Sequence, residues 1–209
     1  MAVLVDFSQI VIGSYMMASK YSDVNMDVIR PGVLNTLRIY RNKFVEEYGE
    51  LILCCDDRHT WRKDIFPNYK ASRKKTRKSS GIDWQNLYDC LNKLKEELRE
   101  WFPYKLIQVE KAEADDVIAI IVDLLNERTL ILSSDKDFVQ LHQFNVRQYS
   151  PMQKKFVDGD AKRNLHEKLI KGDVGDGVPN IMSDDNVFID EGRRQKPITT
   201  KNFFVVIGF

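Results

Sequence analysis

The sequence predicts an α/β fold, a mostly parallel central sheet with helices on both faces. Short apolar runs recur at residues 2–5, 51–55 and 129–132, and each leads into aspartate, at Asp6, Asp56 and Asp135. Between them lie longer segments whose apolar residues return at helical spacing, and strand alternating with helix is the rhythm of a crossover-connected parallel sheet. The stretch from Glu110 to Leu141 adds two acidic clusters, Glu113-Ala-Asp115-Asp116 before an apolar helix and Asp135-Lys-Asp137 after a strand. Crossovers return every strand in the same direction, so the strand-end carboxylates share one edge. In open α/β sheets that carboxyl edge is where ligands bind.

Each element follows in order. Residues 2–5 form a buried strand. Pro31 suits the first turn of a helix with Leu34, Leu37, Phe44 and Tyr48 on one stripe, stopped by Gly49. Residues 51–55 form the next strand, ending at Asp56-Asp57. Asp83 caps a helix that carries Trp84, Leu87, Leu91, Leu94, Leu98 and Trp101 on one face and ends before Pro103. Residues 104–109 make a third strand. The helix after the first acidic cluster uses Val117, Ile118, Ile121, Leu124 and Leu125. Residues 146–149 follow as a strand, with a hairpin around 150–157. A helix over 165–171 then enters the turn-rich Gly172-Asp-Val-Gly-Asp-Gly-Val-Pro179.

A chain of 209 residues with 43% apolar content can bury one good core, so one main domain with an appendage is expected. The boundaries expected are an α/β domain over 1–164, a basic insertion at 58–82, and a smaller region over 165–209. Cys54, Cys55 and Cys90 lack paired C-x-x-C spacing, so neither a disulfide framework nor a zinc site is suggested. Cys54 and Cys55 read as strand packing, and His59, His142 and His166 as surface residues. There is no basic leader and no apolar run long enough for a bilayer, so a soluble protein of a reducing compartment, the cytoplasm, is expected.

The carboxylates carry the chemistry. Asp6, Asp56, Glu113, Asp115, Asp116, Asp135, Asp137, Asp173 and Asp176 are the candidates. Two carboxylates about 6 Å apart repel by roughly 3 kcal/mol at an effective dielectric near 20. A converging set therefore needs retained protons or multivalent cations. All-oxygen donors select hard ions such as Mg²⁺ or Mn²⁺, and paired ions are a recurrent device for phosphodiester hydrolysis. The basic stretch supplies a matching substrate: Arg58, Arg62, Lys63, Lys70, Arg73, Lys74, Lys75, Arg77 and Lys78 face only Asp64 as a local acid. Trp61, Phe66 and Tyr69 lie among them, as in nucleic-acid surfaces where aromatics stack on bases and cations hold phosphates.

Val5-Asp6, Cys55-Asp56, Tyr69-Lys70-Ala-Ser-Arg73, Glu113-Ala-Asp-Asp116, Ser-Ser-Asp135-Lys-Asp137-Phe and the 172–179 segment, in this order, resemble the 5′-nuclease superfamily. That family includes flap endonucleases and the 5′-exonuclease domains of bacterial DNA polymerases. Residues 146–157 resemble its bacteriophage ribonuclease H branch. The resemblance implies a 5′-to-3′ nuclease using two Mg²⁺ ions, with Mn²⁺ as a substitute, that removes RNA primers and 5′ flaps in lagging-strand replication. It implies Asp6, Asp56, Glu113 and Asp115 around the first ion, with Asp116 nearby. It assigns Asp135, Asp137, Asp173 and Asp176 to the second. It also implies Lys70 and Arg73 on the scissile phosphate at the base of a basic arch, and Tyr69 as a stacking residue. Arg62, Lys63, Lys74, Lys75, Arg77 and Lys78 become nucleic-acid contacts. DNA and RNA–DNA hybrids are the expected partners of a monomer, with a single-strand-binding protein and a sliding clamp as protein partners and no membrane.

The 172–179 segment resembles the turns of a helix–two-turns–helix element, which grips duplex phosphates and binds K⁺. Its second helix is expected after Lys196, capped by Thr199 or Thr200, yet the sequence there becomes strand-like, Asn-Phe-Phe-Val-Val-Ile-Gly-Phe209. The element therefore reads as partial and the chain as truncated or altered. Two alternatives stand beside the nuclease: a non-catalytic nucleic-acid-binding homologue, and a PIN-type ribonuclease with the same strand-end acids. A phosphatase would want Asp-x-Asp after the first strand, and Asp6-Phe-Ser lacks it.

Overall fold

A computed structural model describes residues 1–21, 23–190 and 192–198, apart from the side chains of 143 and 144. The chain divides into two compact units, residues 1–60 with 82–161, and residues 61–81 with 162–209. The expected cap at Thr199 or Thr200 and the strand-like tail lie outside the described residues.

In the first unit, strand β1 (Ala2–Asp6) leads directly into helix α1 (Phe7–Ala18), and helix α2 (Met26–Tyr48) precedes strand β2 (Leu51–Cys55). The expected start at Pro31 is corrected. The Asn25 side chain accepts hydrogen bonds from the N–H groups of Asp27 (3.0 Å) and Val28 (3.1 Å), so the helix opens at Met26. Pro31 then sits inside the helix, where it lacks the N–H that would have reached the Asp27 carbonyl. Gly49 ends the helix at φ 84°, and a Cβ there would lie 2.9 Å from the Met1 carbonyl oxygen, so only glycine fits.

In the second unit, the basic stretch forms two short helices, α3 (Arg62–Ile65) and α4 (Arg73–Ser79). Back in the first, helix α5 (Trp84–Trp101) is capped as expected by Asp83, whose carboxylate accepts from Asn86 N–H at 3.0 Å. Strand β3 (Lys105–Gln108), helix α6 (Ala114–Leu125) and strand β4 (Thr129–Leu132) follow, then a 3₁₀ segment (Lys136–Phe144) and the hairpin of strands β5 (Val146–Ser150) and β6 (Lys155–Val157). Helix α7 (Ala161–Lys171) starts earlier than the expected 165 and leads into the second unit.

The sheet order is β3-β2-β1-β4-β5-β6, parallel except for the β5–β6 hairpin. The chain builds outward from β1 through β2 to β3, then returns to the other side of β1 with β4. That reversal makes the carboxyl ends of β1 and β4 a topological switch point, where an α/β sheet opens a crevice. Register puts Val5 opposite Leu132, so Asp6 and Ser133 emerge side by side.

Alternation along the strands sorts the core into two layers. Val3, Val5, Leu51, Leu53, Leu130 and Leu132 pack with α1, α2 and α5, while Ala2, Leu4, Cys54 and Ile131 pack with α6 and the 3₁₀ segment. Helices thus cover both faces, as expected. Expected core positions at two helix ends are corrected: Trp101 is 73% exposed and Leu124 is 77% exposed, each in the last turn of its helix. Phe102, leaving α5 in extended backbone, packs on the core instead and stacks on Tyr104 at 6.4 Å. Leu125 is also exposed. Among the described residues no helix is long and apolar enough to cross a membrane.

Candidate functional site

At the switch point Asp6 is buried and serves two elements at once. Its Oδ1 accepts from Gln9 N–H (3.2 Å) and so caps α1, and its Oδ2 accepts from the Ser133 hydroxyl (3.1 Å). Burial, then the negative charges of Asp56 and Asp135, push its pKa up to about 7, against the opposing hydrogen bonds from Gln9 and Ser133. Asp56, just past β2, accepts from Ala114 N–H at 2.8 Å. Its charge thus faces the N-terminus of α6, where the helix dipole favours it. Glu113 and Asp116 form a capping box there, with Glu113 N–H donating to Asp116 Oδ2 at 2.9 Å. Asp115 lies half-buried in the same first turn. Asp135 is exposed and caps the 3₁₀ segment through Asp137 N–H at 2.9 Å, and Asp137 is half-buried.

These acids come from separate strand and helix ends, and Asp6 feels both Asp56 and Asp135. Asp6, Asp56, Glu113, Asp116 and Asp135 are each held in place by a protein N–H or O–H. Among the described residues, no three His, Cys, Asp or Glu side chains already form a metal-ligand group. The donors are nevertheless all carboxylate oxygens, and a carboxyl driven toward neutrality by burial and then by like charges is what a hard cation would relieve. The residues present fit a Mg²⁺-type ion.

Below the edge sit groups that the motif reading did not assign. Lys95 is buried, and its Nζ donates to the Asp56 carbonyl (3.4 Å) and to Gln108 Oε1 (3.3 Å). Gln108 Nε2 in turn donates to Asp57 Oδ1 at 3.0 Å, and Lys111 N–H donates to Asp57 Oδ2 at 2.9 Å. Those bonds, with Lys111 N–H foremost, hold the Asp57 pKa down to about 2. Asp57 therefore ties the end of β2 to the loop before α6. Cys54 and Cys55 are buried as expected, and burial pushes both thiols up, Cys55 to about 12. His59 and His166 are exposed as expected, but His142 is half-buried, and burial lowers its pKa.

The second unit gathers the basic residues around the 172–179 turn. Lys70 adopts φ 57°, unusual for a residue with a side chain, and its N–H donates to the Asp176 carbonyl at 2.7 Å. Arg73 donates from Nη2 to Asp176 Oδ1 (2.6 Å) and from Nε to the Gly175 carbonyl (3.1 Å). Lys74, Lys75 and Lys78 on α4 are exposed, as is Lys63 on α3; Arg62 and Arg77 are half-buried. Tyr69, expected to stack on bases, is corrected: it is 5% exposed, its hydroxyl donates to Asp176 Oδ2 at 2.9 Å, and the cations of Lys70 and Arg62 lie 4.7 and 5.8 Å from its ring centre. Both carboxylate oxygens of Asp176 are thus engaged within this unit. Asp173 pairs with Lys168 and accepts Asp176 N–H at 3.1 Å; burial opposes, but these partners hold its pKa below the usual carboxylate range. Gly172 makes the turn possible at φ 66°, since a Cβ would lie 2.3 Å from the Pro179 carbonyl oxygen.

The family model described as 5′-3′ exonuclease, N-terminal resolvase-like domain, matches residues 1–169. The chain belongs to the 5′-3′ exonuclease family. Among that family's relatives, the ribonuclease H of Enterobacteria phage T4 is 35% identical over 189 residues, which covers 85% of this chain and 62% of that protein. The flap endonuclease Xni of Psychromonas ingrahamii is 30% identical over 122 residues, covering 56% of this chain and 42% of its own. The chain thus spans less than two thirds of the length of these relatives. The flap endonuclease of bacteriophage T5, in a pseudo-enzyme–product complex with DNA and metal ions, superposes with a TM-score of 0.72 at 17% identity, covering 100% of this chain and 75% of that one. The same phage protein co-crystallised with metal ions gives 0.69 at 18% identity, covering 99% and 74%. At such identity the likeness establishes the fold, the six-stranded mostly parallel sheet flanked by helices.

Within this member of the 5′-3′ exonuclease family, one missed residue had a legible signal. Lys95 falls four residues after Leu91 and three before Leu98, on the apolar face of α5, where a charged side chain needs a buried partner. Asp57 gave none, because its partners, Gln108 and Lys111, come from distant sequence.

Proposed function

We propose that the chain is a divalent-metal-dependent 5′-to-3′ nuclease that hydrolyses phosphodiesters in 5′ DNA ends and flaps and in the RNA of RNA–DNA hybrids, as in primer removal on the lagging strand. The observation that carries this reading is buried Asp6, at the switch point, under the joint field of Asp56 and Asp135. Asp6, Asp56, Glu113 and Asp115 would hold one ion, and Asp135 and Asp137 a second, with Mg²⁺ the natural ion and Mn²⁺ a substitute. When bound, such ions activate water and neutralise charge on the phosphate. The protein's own part is to keep Asp56 on the α6 N-terminus and Asp6 on Ser133, so that the oxygens are aimed before substrate arrives. Asp116 serves the cap rather than an ion. Asp173 and Asp176 serve Lys168 and Arg73 in the second unit, with K⁺ a candidate ligand of the turn they belong to.

Phosphate binding falls to the basic residues. Arg73 can exchange the Asp176 carboxylate for a phosphate oxygen, one charge-assisted bond for another, at little net cost. Lys70→Ala and Arg73→Ala are expected to lower the single-turnover rate about 100-fold, as for loss of one transition-state charge donor. Lys75→Ala and Lys78→Ala are expected to weaken binding and to lower the salt dependence by about one counterion each. Identical behaviour of all four would make the stretch a generic polycation.

The deciding experiment presents the protein with 5′-flap DNA and an RNA–DNA hybrid in Mg²⁺, in Mn²⁺ and in excess chelator. Cleavage of either substrate only when a divalent ion is present supports the reading. Binding without cleavage in every metal would instead identify a non-catalytic homologue.

A further inference from the structure

Gln148 lies in the middle of β5, between parallel β4 and antiparallel β6, a polar side chain 0% exposed. A buried amide is costly unless its donors and acceptor are used. Its Nε2 donates to the Ser133 carbonyl (2.9 Å) and to the Asp135 carbonyl (2.6 Å). One amide group thus spends both protons on the two carbonyls that flank Ser134. Between those carbonyls, the Ser133 hydroxyl donates to Asp6 Oδ2 and accepts Asp135 N–H, each at 3.1 Å. The amide therefore fixes the turn that faces Ser133 to Asp6 and launches Asp135.

The other end of the amide meets His142. Gln148 Oε1 and His142 Nε2 are both buried with no formed hydrogen bond. Burial lowers the imidazole's pKa, and Gln148 is the first group that acts against it. A neutral imidazole carrying its proton on Nε2 would supply the donor that Oε1 lacks. The reverse amide orientation would set Oε1 against two carbonyl oxygens, so the donor on His142 and the carbonyls of Ser133 and Asp135 select the same rotamer.

We propose that Gln148, oriented by His142, is a positioning residue that sets the Ser133–Asp135 turn against Asp6 and thereby presets the carboxylates for a divalent ion. This rests on the functional reading above, although neither residue touches substrate or metal. Buried polar groups behind ligands typically change metal affinity by about 10- to 100-fold.

The test measures Mn²⁺ affinity of the whole chain by electron paramagnetic resonance without nucleic acid, alongside flap-DNA affinity in chelator and cleavage across a Mn²⁺ series. Gln148→Met, similar in shape but without donors, is expected to bind Mn²⁺ about tenfold more weakly or worse. Its DNA affinity should match wild type, and its kcat should recover as Mn²⁺ is raised. His142→Leu should shift Mn²⁺ affinity the same way, and His142→Gln, which keeps a donor near the Nε2 position, should restore it. Wild-type Mn²⁺ affinity in folded Gln148→Met overturns the inference. Should that variant not fold, equal Mn²⁺ affinity in His142→Leu and His142→Gln overturns it. A wild-type chain that neither binds Mn²⁺ nor cuts would overturn the functional reading and this inference together. A wild type that does both, matched by the variants, removes the inference alone.

Discussion

Asp135→Asn is expected to abolish cleavage, by at least about 1,000-fold, while leaving nucleic-acid binding in chelator close to wild type. A divalent ion contributes several kcal/mol of transition-state charge stabilisation, and each 1.4 kcal/mol is a factor of ten in rate. The substitution is chosen to remove charge without removing structure. Asp135 caps the 3₁₀ segment by accepting Asp137 N–H, and asparagine caps about as well as aspartate. Its backbone carbonyl still receives Gln148, and its N–H still reaches Ser133. A carboxylate repels phosphate, so its loss gives no reason for weaker binding. Single-turnover cleavage and equilibrium binding, measured with the same flap substrate, decide the matter. Undiminished turnover by Asp135→Asn would sink the assignment of Asp135 as a metal ligand.

The sheet and its acidic edge were legible because they are written locally. β1, β2 and β4 are written as short apolar runs, and Asp6 and Asp56 follow theirs directly, Asp135 after two serines. Asp83 and Gly49 marked helix ends for the same reason: a cap acts within four residues of itself. Helix α1 was not legible. Phe7, Ile10 and Val11 are buried, but Ile12, Met16 and Met17 make its other faces apolar too, so no stripe stands out. Pro31 suggested a start that Asn25, one side chain taking two N–H groups, placed earlier.

In the candidate site the acids could be named from sequence, but not which of them carry structural work. Asp116 closes a capping box, and Asp176 is held by Tyr69 and Arg73 from about a hundred positions away. Tyr69 looked like an exposed stacking ring because its neighbours are basic. Its hydroxyl found a carboxylate, and the ring went inside. Pairings over such separations leave no periodic trace in the chain.

Asp6 makes the metal-free protein pH-sensitive in a direction opposite to that of an ordinary salt-bridged aspartate. Its folded pKa is about 7 against 3.8 for the free group, because burial and the charges of Asp56 and Asp135 disfavour ionisation. Between those values the folded state holds a proton that the unfolded chain has released, so stability falls as pH rises. The stability is fully present below about 4 and lost by the time pH passes through about 7. Three pH units at 1.36 kcal/mol each give roughly 4 kcal/mol for the whole span, or about 10 °C in Tm for a chain of this size. Asp6→Asn removes the ionisation, yet the asparagine Oδ1 can still accept from Gln9 N–H, and its Nδ2 can donate to the Ser133 hydroxyl oxygen, reversing that bond. The variant should therefore melt above wild type at pH 8 in chelator and match it near pH 4. Divalent metal reverses the order: saturating Mn²⁺ at pH 8 should raise the wild-type Tm, since the ion needs the ionised carboxylate, and should raise the variant's far less. Thermal melts of both proteins from pH 4 to 8, with Mn²⁺ and with chelator, check each step. The difference between the two proteins isolates Asp6 from the other titrating groups. A difference that stays flat with pH and is unmoved by Mn²⁺ would show that Asp6 is an inert buried acid and not part of a metal site.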